Sequence, residues 1–335
     1  MKLSKPVSLL ATILLMGGVA LSACSSVAPA PQPTPSPIRI GVSPWVGFAP
    51  LYIARDKGFF AKEGVAVDVV NFDTYDEANT TLASRGIEGN VTVLSDTVAQ
   101  AAAKVAVQDV WVFDESQGDD VLVGNDSIKS PSDLKGKRVA FSYGTFGQVF
   151  VLTALAKYGL SRSDVTVVNL PGENVPDALA SGKIDAGHTW DPFLGQALKN
   201  GAHTVLTSKD TPGIIVDVLV FRTDVTTNRA NDVKAVVRAL LNADEYWKQN
   251  PDEGNKIVAK AMGVAPGDIP AILTGDRIYS LADVQAAFDP NGAQSIYQSA
   301  KTISDFFVKE QVIKQAPDFQ ALINPTFVQA VSQSK

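Results

Sequence analysis

The stretch Phe141–Gln148 places small residues where an anion could bind. Ser142, Gly144, Thr145 and Gly147 lie between an apolar run that predicts a β-strand and another that predicts a helix. Glycine lets a backbone approach a ligand closely, and the first amides of a helix have no partner inside the helix. With the helix dipole, these amides form an anion-binding site, although an ordinary strand-to-helix loop has the same pattern.

Aromatic, hydroxyl and carboxylate side chains follow other predicted strands. The loops after parallel strands meet at one edge of a sheet, where ligands bind. This mixture of side chains is typical of a cleft for a small polar ligand. Core packing is the alternative for an aromatic such as Phe48, and a solvated loop or helix cap is the alternative for the acids. The predicted ligand-binding residues are Trp45, Phe48, Tyr75, Asp96, Asp114, Ser142, Tyr143, Thr145, Glu173, Trp190 and Asp191.

Catalytic and metal chemistry have little support in the sequence. The histidines are His188, which we interpret as a structural imidazole, and His203. No Gly-x-Ser-x-Gly elbow and no P-loop motif occurs. Segment 114–120 is superficially similar to a calcium loop but lacks its glycine and its terminal glutamate. The only cysteine, Cys24, excludes disulfides. We therefore predict no catalytic residue, no metal site and no cofactor.

The elements that would position the ligand-binding residues alternate between strand and helix. This alternation predicts an α/β fold in which each sheet is mainly parallel and flanked by helices. A polar segment at 114–120 interrupts the alternation. We therefore predict two lobes, with residues 38–121 plus 218–335 in lobe one and residues 122–217 in lobe two. The last third of the chain predicts a helical extension.

Two short segments of the sequence are similar to each other. Leu82–Glu88 and Leu179–Asp185 share a pattern, and each lies between a predicted helix and a predicted strand. This similarity favours two α/β halves of the same design. Locally, we predict Asp76 as the N-cap of a helix at 77–84, and a loop at 95–97.

Residues 1–23 have the features of a secretory signal. Lys2 and Lys5 precede an apolar stretch at 7–21 that is shorter than the ~20 residues a membrane span needs. The segment Leu21–Cys24 resembles the lipobox of bacterial lipoproteins, which implies cleavage before Cys24 and lipidation of Cys24. Residues 24–37 predict an extended, Pro-rich tether. We expect an extracytoplasmic, lipid-anchored protein, and the formal net charge of −6 argues against nucleic-acid binding.

Three strings resemble one protein family in their order and spacing. They lie at 38–60, at 133–140, and at 178–186 running into Trp190–Phe193. They resemble the periplasmic substrate-binding proteins of the nitrate/sulfonate/taurine type, in the same superfamily as the thiamine-pyrimidine-precursor binders. The resemblance implies a two-lobe periplasmic-binding-protein-like fold (type II). It also implies a monomer that hands a small-molecule ligand to an ABC permease and its ATPase.

The resemblance also assigns roles to residues. It implies that Trp45 and Phe48, Tyr75, the Ser142–Thr145 turn and Trp190–Asp191 face the ligand. Yeast pyrimidine synthases of the same superfamily need a histidine and a cysteine-rich run for chemistry. No cysteine follows Cys24, so their activity is not implied here.

The identity of the ligand stays open at this point. Helix N-termini near Pro50 and Thr145 suit a sulfonate, a carboxylate or a similar anion. The strand-end loops, however, carry more acids than a plain anion requires, and buried carboxylates need a partner. We therefore predict a taurine- or alkanesulfonate-like ligand or, as an alternative, a cationic or heterocyclic nitrogen compound, with Asp191 as the favoured acid. An enzyme on the same fold and a sensory binding domain are the remaining hypotheses.

Overall fold

The computed structural model describes residues 36–332, and the predictions for residues 1–23 and for Cys24 lie outside them. Pro37–Lys335 forms one compact unit that contains two β-sheets. Among residues 36–332, no helix is both long enough and apolar enough to cross a bilayer. Both sheets and all the contacts between them belong to this one unit.

Strands and helices alternate through the first two thirds of the described chain. The strands are β1 (Ile38–Val42), β2 (Val67–Asn71), β3 (Gly89–Val93), β4 (Val107–Ser116), β5 (Val121–Gly124), β6 (Arg138–Phe141), β7 (Thr166–Asn169), β8 (Ala186–Thr189), β9 (His203–Thr207), β10 (Val216–Arg222) and β11 (Asp276–Ile278). The helices are α1 (Ala49–Asp56), α2 (Phe59–Lys62), α3 (Tyr75–Ala83), α4 (Leu94–Ala102), α5 (Phe146–Lys157), α6 (Val175–Ala180), α7 (Phe193–Lys199), α8 (Thr223–Asn228), α9 (Ala230–Gln249), α10 (Pro251–Met262), α11 (Ile269–Ile272), α12 (Leu281–Ala287), α13 (Ile296–Lys309), α14 (Phe319–Leu322) and α15 (Thr326–Ser332).

The two sheets have the same design. The first has the order β11-β4-β10-β3-β1-β2 and the second has the order β7-β6-β8-β5-β9. The chain passes from the first sheet to the second between β4 and β5, and it returns between β9 and β10. Each crossover delivers a strand, β5 or β10, that runs antiparallel between two strands of the sheet it enters. The pairing is therefore mixed rather than mainly parallel, and the exact lobe boundaries stay a prediction.

The last residue of each of the two similar sequence segments, Glu88 or Asp185, forms an ion pair with an arginine. In the first sheet, Arg39 donates to Glu88 from its backbone amide and its guanidinium group at 2.9–3.0 Å. In the second, Arg138 contacts Asp185 in the same way at 2.8–3.1 Å. The Arg138 guanidinium holds the pKa of Asp185 at about 2. The first pair joins β1 to the residue before β3, and the second joins β6 to the residue before β8.

Two local expectations differ from the structure. Thr74, not Asp76, caps α3, because its hydroxyl accepts the Glu77 amide at 3.1 Å. Residues 95–97 lie in the first turn of α4 rather than in a loop, because the helix begins directly at the end of β3. Asp76 and Asp96 are thereby free to contact the other sheet's elements.

The helices after β10 mainly cover the first sheet. In α9, apolar residues at helical spacing are buried against α1 and α2, and Pro251 follows where the helix ends. Helix α13 packs on α4 and also contacts α5, so it touches elements of both halves. This helical segment therefore supports the first sheet and borders the junction between the two.

A substitution in β10 tests the importance of the strand that follows the return crossover. Leu219 is fully buried in β10, between β3 and β4. We expect Leu219→Ala to lower the free energy of unfolding by about 2–5 kcal/mol, because it leaves a cavity in a packed sheet. Leu198→Ala is the matched control, since Leu198 is 44% exposed, and it should cost less than ~0.5 kcal/mol. Equal losses in denaturant titrations would contradict this assignment of the core.

Candidate functional site

A buried cavity of about 10 Å³, with room for about one water molecule, lies between the two sheets. None of its lining residues is more than 5% exposed, so the cavity is cut off from solvent. Its walls come from the ends of strands in both sheets and from both crossover segments. The lining residues are Trp45, Tyr75, Val93, Asp120, Phe146, Trp190, Ile215 and Asp217.

Aromatic rings from both lobes meet at the cavity. The ring of Tyr75, at the start of α3, lies 5.5 Å from those of Phe146 and Trp190, measured between ring centroids. Phe146 and Trp190 lie 5.2 Å apart. Such tilted and edge-to-face pairs each contribute ~0.5–1.5 kcal/mol beyond the burial of their area. The aromatic cluster therefore forms the apolar walls and joins the lobes.

Trp190 depends on a glycine and carries an unpaired donor. A Cβ atom at Gly172 would lie 2.2 Å from the indole ring, so only glycine permits this packing. The indole Nε1 is buried and has no hydrogen-bond partner. Because a buried indole N–H normally finds an acceptor, this donor is a candidate contact for a ligand.

Three carboxyl groups from neighbouring strands meet beside the cavity. Asp114 on β4 hydrogen-bonds the carboxyl groups of Asp217 and Asp276 and accepts the Trp45 indole N–H at 3.2 Å, while no N–H or hydroxyl group donates to its Oδ2. A Cβ at Gly47 would lie 1.9 Å from this oxygen, so a glycine is required there as well. Burial raises the pKa of Asp114 to about 7. Burial and the neighbouring Asp114 also raise the pKa of Asp217 and of Asp276 well above the ordinary value.

Asp120 reaches the cavity from the first crossover. Its Oδ1 lies 2.7 Å from Nε2 of His188, and both side chains are buried. The rings of Phe146 and Phe150 pack against the imidazole at 5.3 and 5.2 Å. His188 therefore holds the Asp120 carboxylate in place, as expected of a structural imidazole.

Carboxylates of this chain accept backbone amides at the starts of two helices, α5 and α3, and the sequence assigns the first of these to an anion. The Phe146 amide, at the start of α5, donates to Asp96 on α4 at 3.2 Å. In the opposite direction, the Tyr75 amide, at the start of α3, donates to Glu173 at 3.1 Å. We call these two contacts the carboxylate latches, because each joins elements of the two sheets. In this closed form, the α5 N-terminus therefore binds a carboxylate of the chain itself.

Burial has a clear effect on the acids of these latches. It raises the pKa of Asp96 to about 7, with the nearby Asp76 adding to the rise. It raises the pKa of Glu173 to about 7 as well. The Ser142 hydroxyl adds a third contact between the lobes by donating to Asp76 at 3.0 Å.

The structure brings some of the predicted residues to the cavity and leaves others away from it. Trp45, Tyr75 and Trp190 line it, and Asp114 lies directly behind Trp45. Three others form hydrogen bonds between the lobes instead, namely Asp96, Ser142 and Glu173. Thr145 donates to the Ser142 carbonyl, and Phe48 packs on Tyr75 and Phe113.

Tyr143 and Asp191 lie outside the cavity. Tyr143 is 44% exposed and packs under the Arg162 guanidinium group. Asp191 accepts the Gly195 amide at 3.0 Å in the first turn of α7 and faces an open groove shared with Asp119 and Asp268. Their assignment to the ligand stays a prediction.

Asp217 is the most informative of the lining residues that the predicted ligand-binding set lacks, which are Val93, Asp120, Phe146, Ile215 and Asp217. It lies within the apolar strand Val216–Arg222, where every residue is buried. A charged side chain inside such a strand is the signal that could have identified it, because buried carboxylates require compensation. Among residues 36–332, no group of three or more His, Cys, Asp or Glu side chains is arranged to hold a metal ion.

Known proteins share the sequence pattern and the fold of this chain. The model of the family described as "NMT1/THI5 like" matches residues 45–254. The chain belongs to this family. It is 28% identical over 307 residues to the taurine-binding periplasmic protein of Escherichia coli (strain K12), covering 87% of this chain and 93% of that protein. The resemblance drawn from the three strings is therefore confirmed.

Solved structures confirm the fold class. The alkanesulfonate-binding protein SsuA from Xanthomonas axonopodis pv. citri, bound to MOPS, superimposes with a TM-score of 0.73 at 21% identity, covering 87% of this chain and 99% of that one. The desulfurization enzyme DSZB superimposes with a TM-score of 0.67 at 15% identity, covering 89% and 99%. This NMT1/THI5-like chain thus has the periplasmic binding protein fold, which also occurs in an enzyme.

The pKa of Asp96 predicts how the stability of the ligand-free protein changes with pH. Because the folded-state pKa of about 7 exceeds the ordinary 3.8, the folded protein holds this proton more tightly than the unfolded chain. The protonated Asp96 therefore stabilises the folded state fully below its unfolded-state pKa of 3.8, and this contribution is lost as pH rises through the folded-state pKa of about 7. We expect the melting temperature to fall between about pH 5 and about pH 8, and Asp96→Asn to reduce that fall.

Scanning calorimetry across this pH range measures the effect. The amide side chain of the Asp96→Asn variant retains an oxygen that can accept the Phe146 amide but cannot ionise, so the melting temperature of this variant should depend less on pH. The matched control is Asp68→Asn on the exposed side of β2, which should leave the wild-type slope. An unchanged slope in Asp96→Asn would show that this latch does not titrate in the expected range.

Proposed function

We propose that this chain is the extracytoplasmic solute-binding lipoprotein of an ABC importer. On this proposal it captures a small, polar nitrogen- or sulfur-containing molecule, of the taurine or alkanesulfonate kind, and delivers it to a membrane permease. The observation that carries the proposal is the junction of the sheets, where aromatic and acidic residues of both lobes meet around one small buried cavity. The names of the taurine- and alkanesulfonate-binding proteins support the ligand class.

Hinge closure is the mechanism that these contacts favour. The contacts across the junction are the aromatic cluster, the two carboxylate latches and the Ser142–Asp76 hydrogen bond. All of them are non-covalent contacts that separate if the lobes open, whereas only the two crossovers connect the chain. A ligand that touches both walls binds the closed state better and shifts the equilibrium towards it.

Hydrogen bonds fix the two crossovers relative to each other, as expected of a hinge. Ser116 and Ser208, one in each crossover region, lie with their hydroxyl oxygens 2.9 Å apart. The Gly118 amide donates to the Ser208 hydroxyl, and the Asp120 amide donates to the Ser116 hydroxyl. Since Asp120 also lines the cavity, ligand contact and hinge geometry are directly connected.

Membrane attachment and the partners rest on the sequence. The lipobox-like segment before Cys24 supports a lipid anchor at the outer face of the cell membrane, followed by the Pro-rich tether. The permease and its ATPase are proposed from the family resemblance, and a monomer is expected to deliver the ligand. The alternative to a taurine- or alkanesulfonate-like ligand is a cationic or heterocyclic nitrogen compound, and the acids around the cavity support this alternative.

An enzyme on the same fold is the remaining alternative. The cavity lining in the described chain offers no serine, cysteine or lysine as a nucleophile, and His188 points its Nε2 at Asp120. Nucleophilic catalysis through a hydroxyl, thiol or amine side chain requires that side chain beside an activating base. The lining therefore favours binding over turnover.

Native mass spectrometry of the purified protein tests the proposal. We expect a bound small molecule that leaves on unfolding, reappears unchanged after incubation with fresh protein, and raises the melting temperature by mass action. Conversion of that molecule into a product during incubation would instead identify an enzyme.

A pair of aromatic substitutions tests the location of the site. Trp190→Ala removes one wall of the cavity and an unpaired donor, so we expect the affinity for the retained ligand to fall roughly 30-fold or more. Tyr158→Ala is the control, because it changes an exposed ring that is not among the predicted ligand-binding residues, and it should alter affinity less than about twofold. Calorimetric titration gives both values, and an unchanged affinity in Trp190→Ala would contradict this location of the site.

A further inference from the structure

Three carboxyl groups from both lobes meet where the lobes join. Asp76 at the start of α3 and Asp96 on α4 belong to the first lobe, and Glu173, in the turn before α6, belongs to the second. Asp76 is close enough to the other two to contribute to the raised pKa of each. We call these residues the three junction acids. Because Glu173 lies on a different lobe from the other two, the cluster forms only when the lobes are closed.

Each junction acid accepts a hydrogen bond from the opposite lobe. In one carboxylate latch, the Phe146 amide donates to Asp96 at 3.2 Å. In the other, the Tyr75 amide donates to Glu173 at 3.1 Å. The Ser142 hydroxyl donates to the third acid at 3.0 Å. Separation of the lobes therefore breaks all three hydrogen bonds and admits water to the three carboxyl groups.

No positive side chain is paired with this cluster. Within the described range 36–332, no lysine or arginine forms an ion pair with a junction acid. The other titratable groups that face the cluster are Asp217 on β10, near Asp96, and the Tyr75 hydroxyl on α3. His188 on β8 is paired with Asp120. Ionisation of the junction acids thus gathers like charges in a place from which closure excludes water, and both effects are unfavourable.

Closure changes the affinity of two junction acids for protons. In the closed form, burial raises the pKa of Asp96 from 3.8 and that of Glu173 from 4.5, each to about 7. When the lobes separate, water solvates both carboxyl groups and their pKa values return towards the ordinary ones. The closed form therefore binds more protons than the open form between the two sets of values. This contribution to closure is complete below the ordinary pKa values and is lost as pH rises through about 7.

From this geometry we infer that closure of the lobes takes up protons at Asp96 and Glu173. Loss of these protons weakens the closed form, so the lobes separate more readily as the pH outside the cell rises. An acidic exterior instead holds the lobes together and prolongs the retention of a bound solute. This inference rests on the hinge closure of the proposed function and adds a pH-dependent control to it.

Hydrogen exchange of the two latch amides tests the inference on the ligand-free full chain. The amides of Phe146 and Tyr75 exchange with water when their latches open. Where reclosing is faster than exchange, their protection factors, corrected for the intrinsic exchange rates, give the closing equilibrium constant. Each acid with a closed-state pKa of about 7 lowers this constant roughly tenfold between about pH 6 and about pH 8. We expect the protection of both amides to fall roughly 10- to 100-fold over this range.

Neutral variants separate the effect of the protons from that of packing. Asp96→Asn and Glu173→Gln each retain an oxygen that can accept the latch amide, but neither side chain can ionise. Each single variant should reduce the fall in protection by a factor of about ten, and the double variant should change less than about twofold over the same pH range. Asp126→Asn is the matched control, since its side chain is 95% exposed, and it should follow the wild-type profile.

Three results would overturn the inference. Wild-type protection that does not fall with pH would do so whether or not the variants fold, and so would a wild-type fall in the folded double variant. Both results leave the solute receptor standing, because the retained ligand is measured separately by native mass spectrometry. The third result is exchange of the latch amides no faster than that of the fully buried Leu219 amide, which reports global unfolding. It would show that the lobes do not separate, and it would contradict hinge closure as well.

Discussion

Burial of carboxyl groups without cations is the constraint on which the junction of the two sheets depends. An ionised carboxylate moved out of water loses several kcal/mol of solvation unless it gains a partner. Asp120 gains His188, and Asp96 and Glu173 gain backbone amides. Asp217 gains only its acidic neighbours within the described chain, with a hydrogen bond to Asp114, and burial raises its pKa well above the ordinary value. The acids with amide or imidazole partners hold the junction together, whereas Asp217 and Asp114 reduce the cost of burial by retaining protons.

The helix N-termini have a different role from the usual one in anion recognition. Amides at the start of α3 and α5 bind carboxylates from the opposite lobe rather than a free anion. Closure therefore satisfies backbone donors that would otherwise need water. An anionic ligand at these amides would compete with the protein's own side chains. The carboxylate latches therefore stay intact only if the ligand binds away from the first turns of α3 and α5.

The sequence predicted the architecture better than the site. Strand and helix alternation identified β1, β3 and α9 closely, and the similarity of Leu82–Glu88 to Leu179–Asp185 reflects two sheets of one design. Trp45 and Trp190 could be placed at the cavity because they follow strands. Asp217 could not be placed there, because the apolar residues around it are typical of an ordinary buried strand. Asp191 and Asp120 both follow strands in the sequence. Asp191 accepts an amide in the first turn of α7, whereas Asp120 lines the cavity, and this difference depends on the three-dimensional path of the crossovers.

The sealed cavity has a kinetic consequence. Since no lining residue is more than 5% exposed and the cavity has room for about one water, a ligand can enter or leave the junction only when the lobes separate. Its residence time therefore cannot be shorter than the waiting time for opening, whatever the strength of its contacts. Domain hinge motions take microseconds to milliseconds. Changes near the Ser116–Ser208 hydroxyl pair would then alter association and dissociation rates together, and a membrane partner that separates the lobes would control release without touching the ligand.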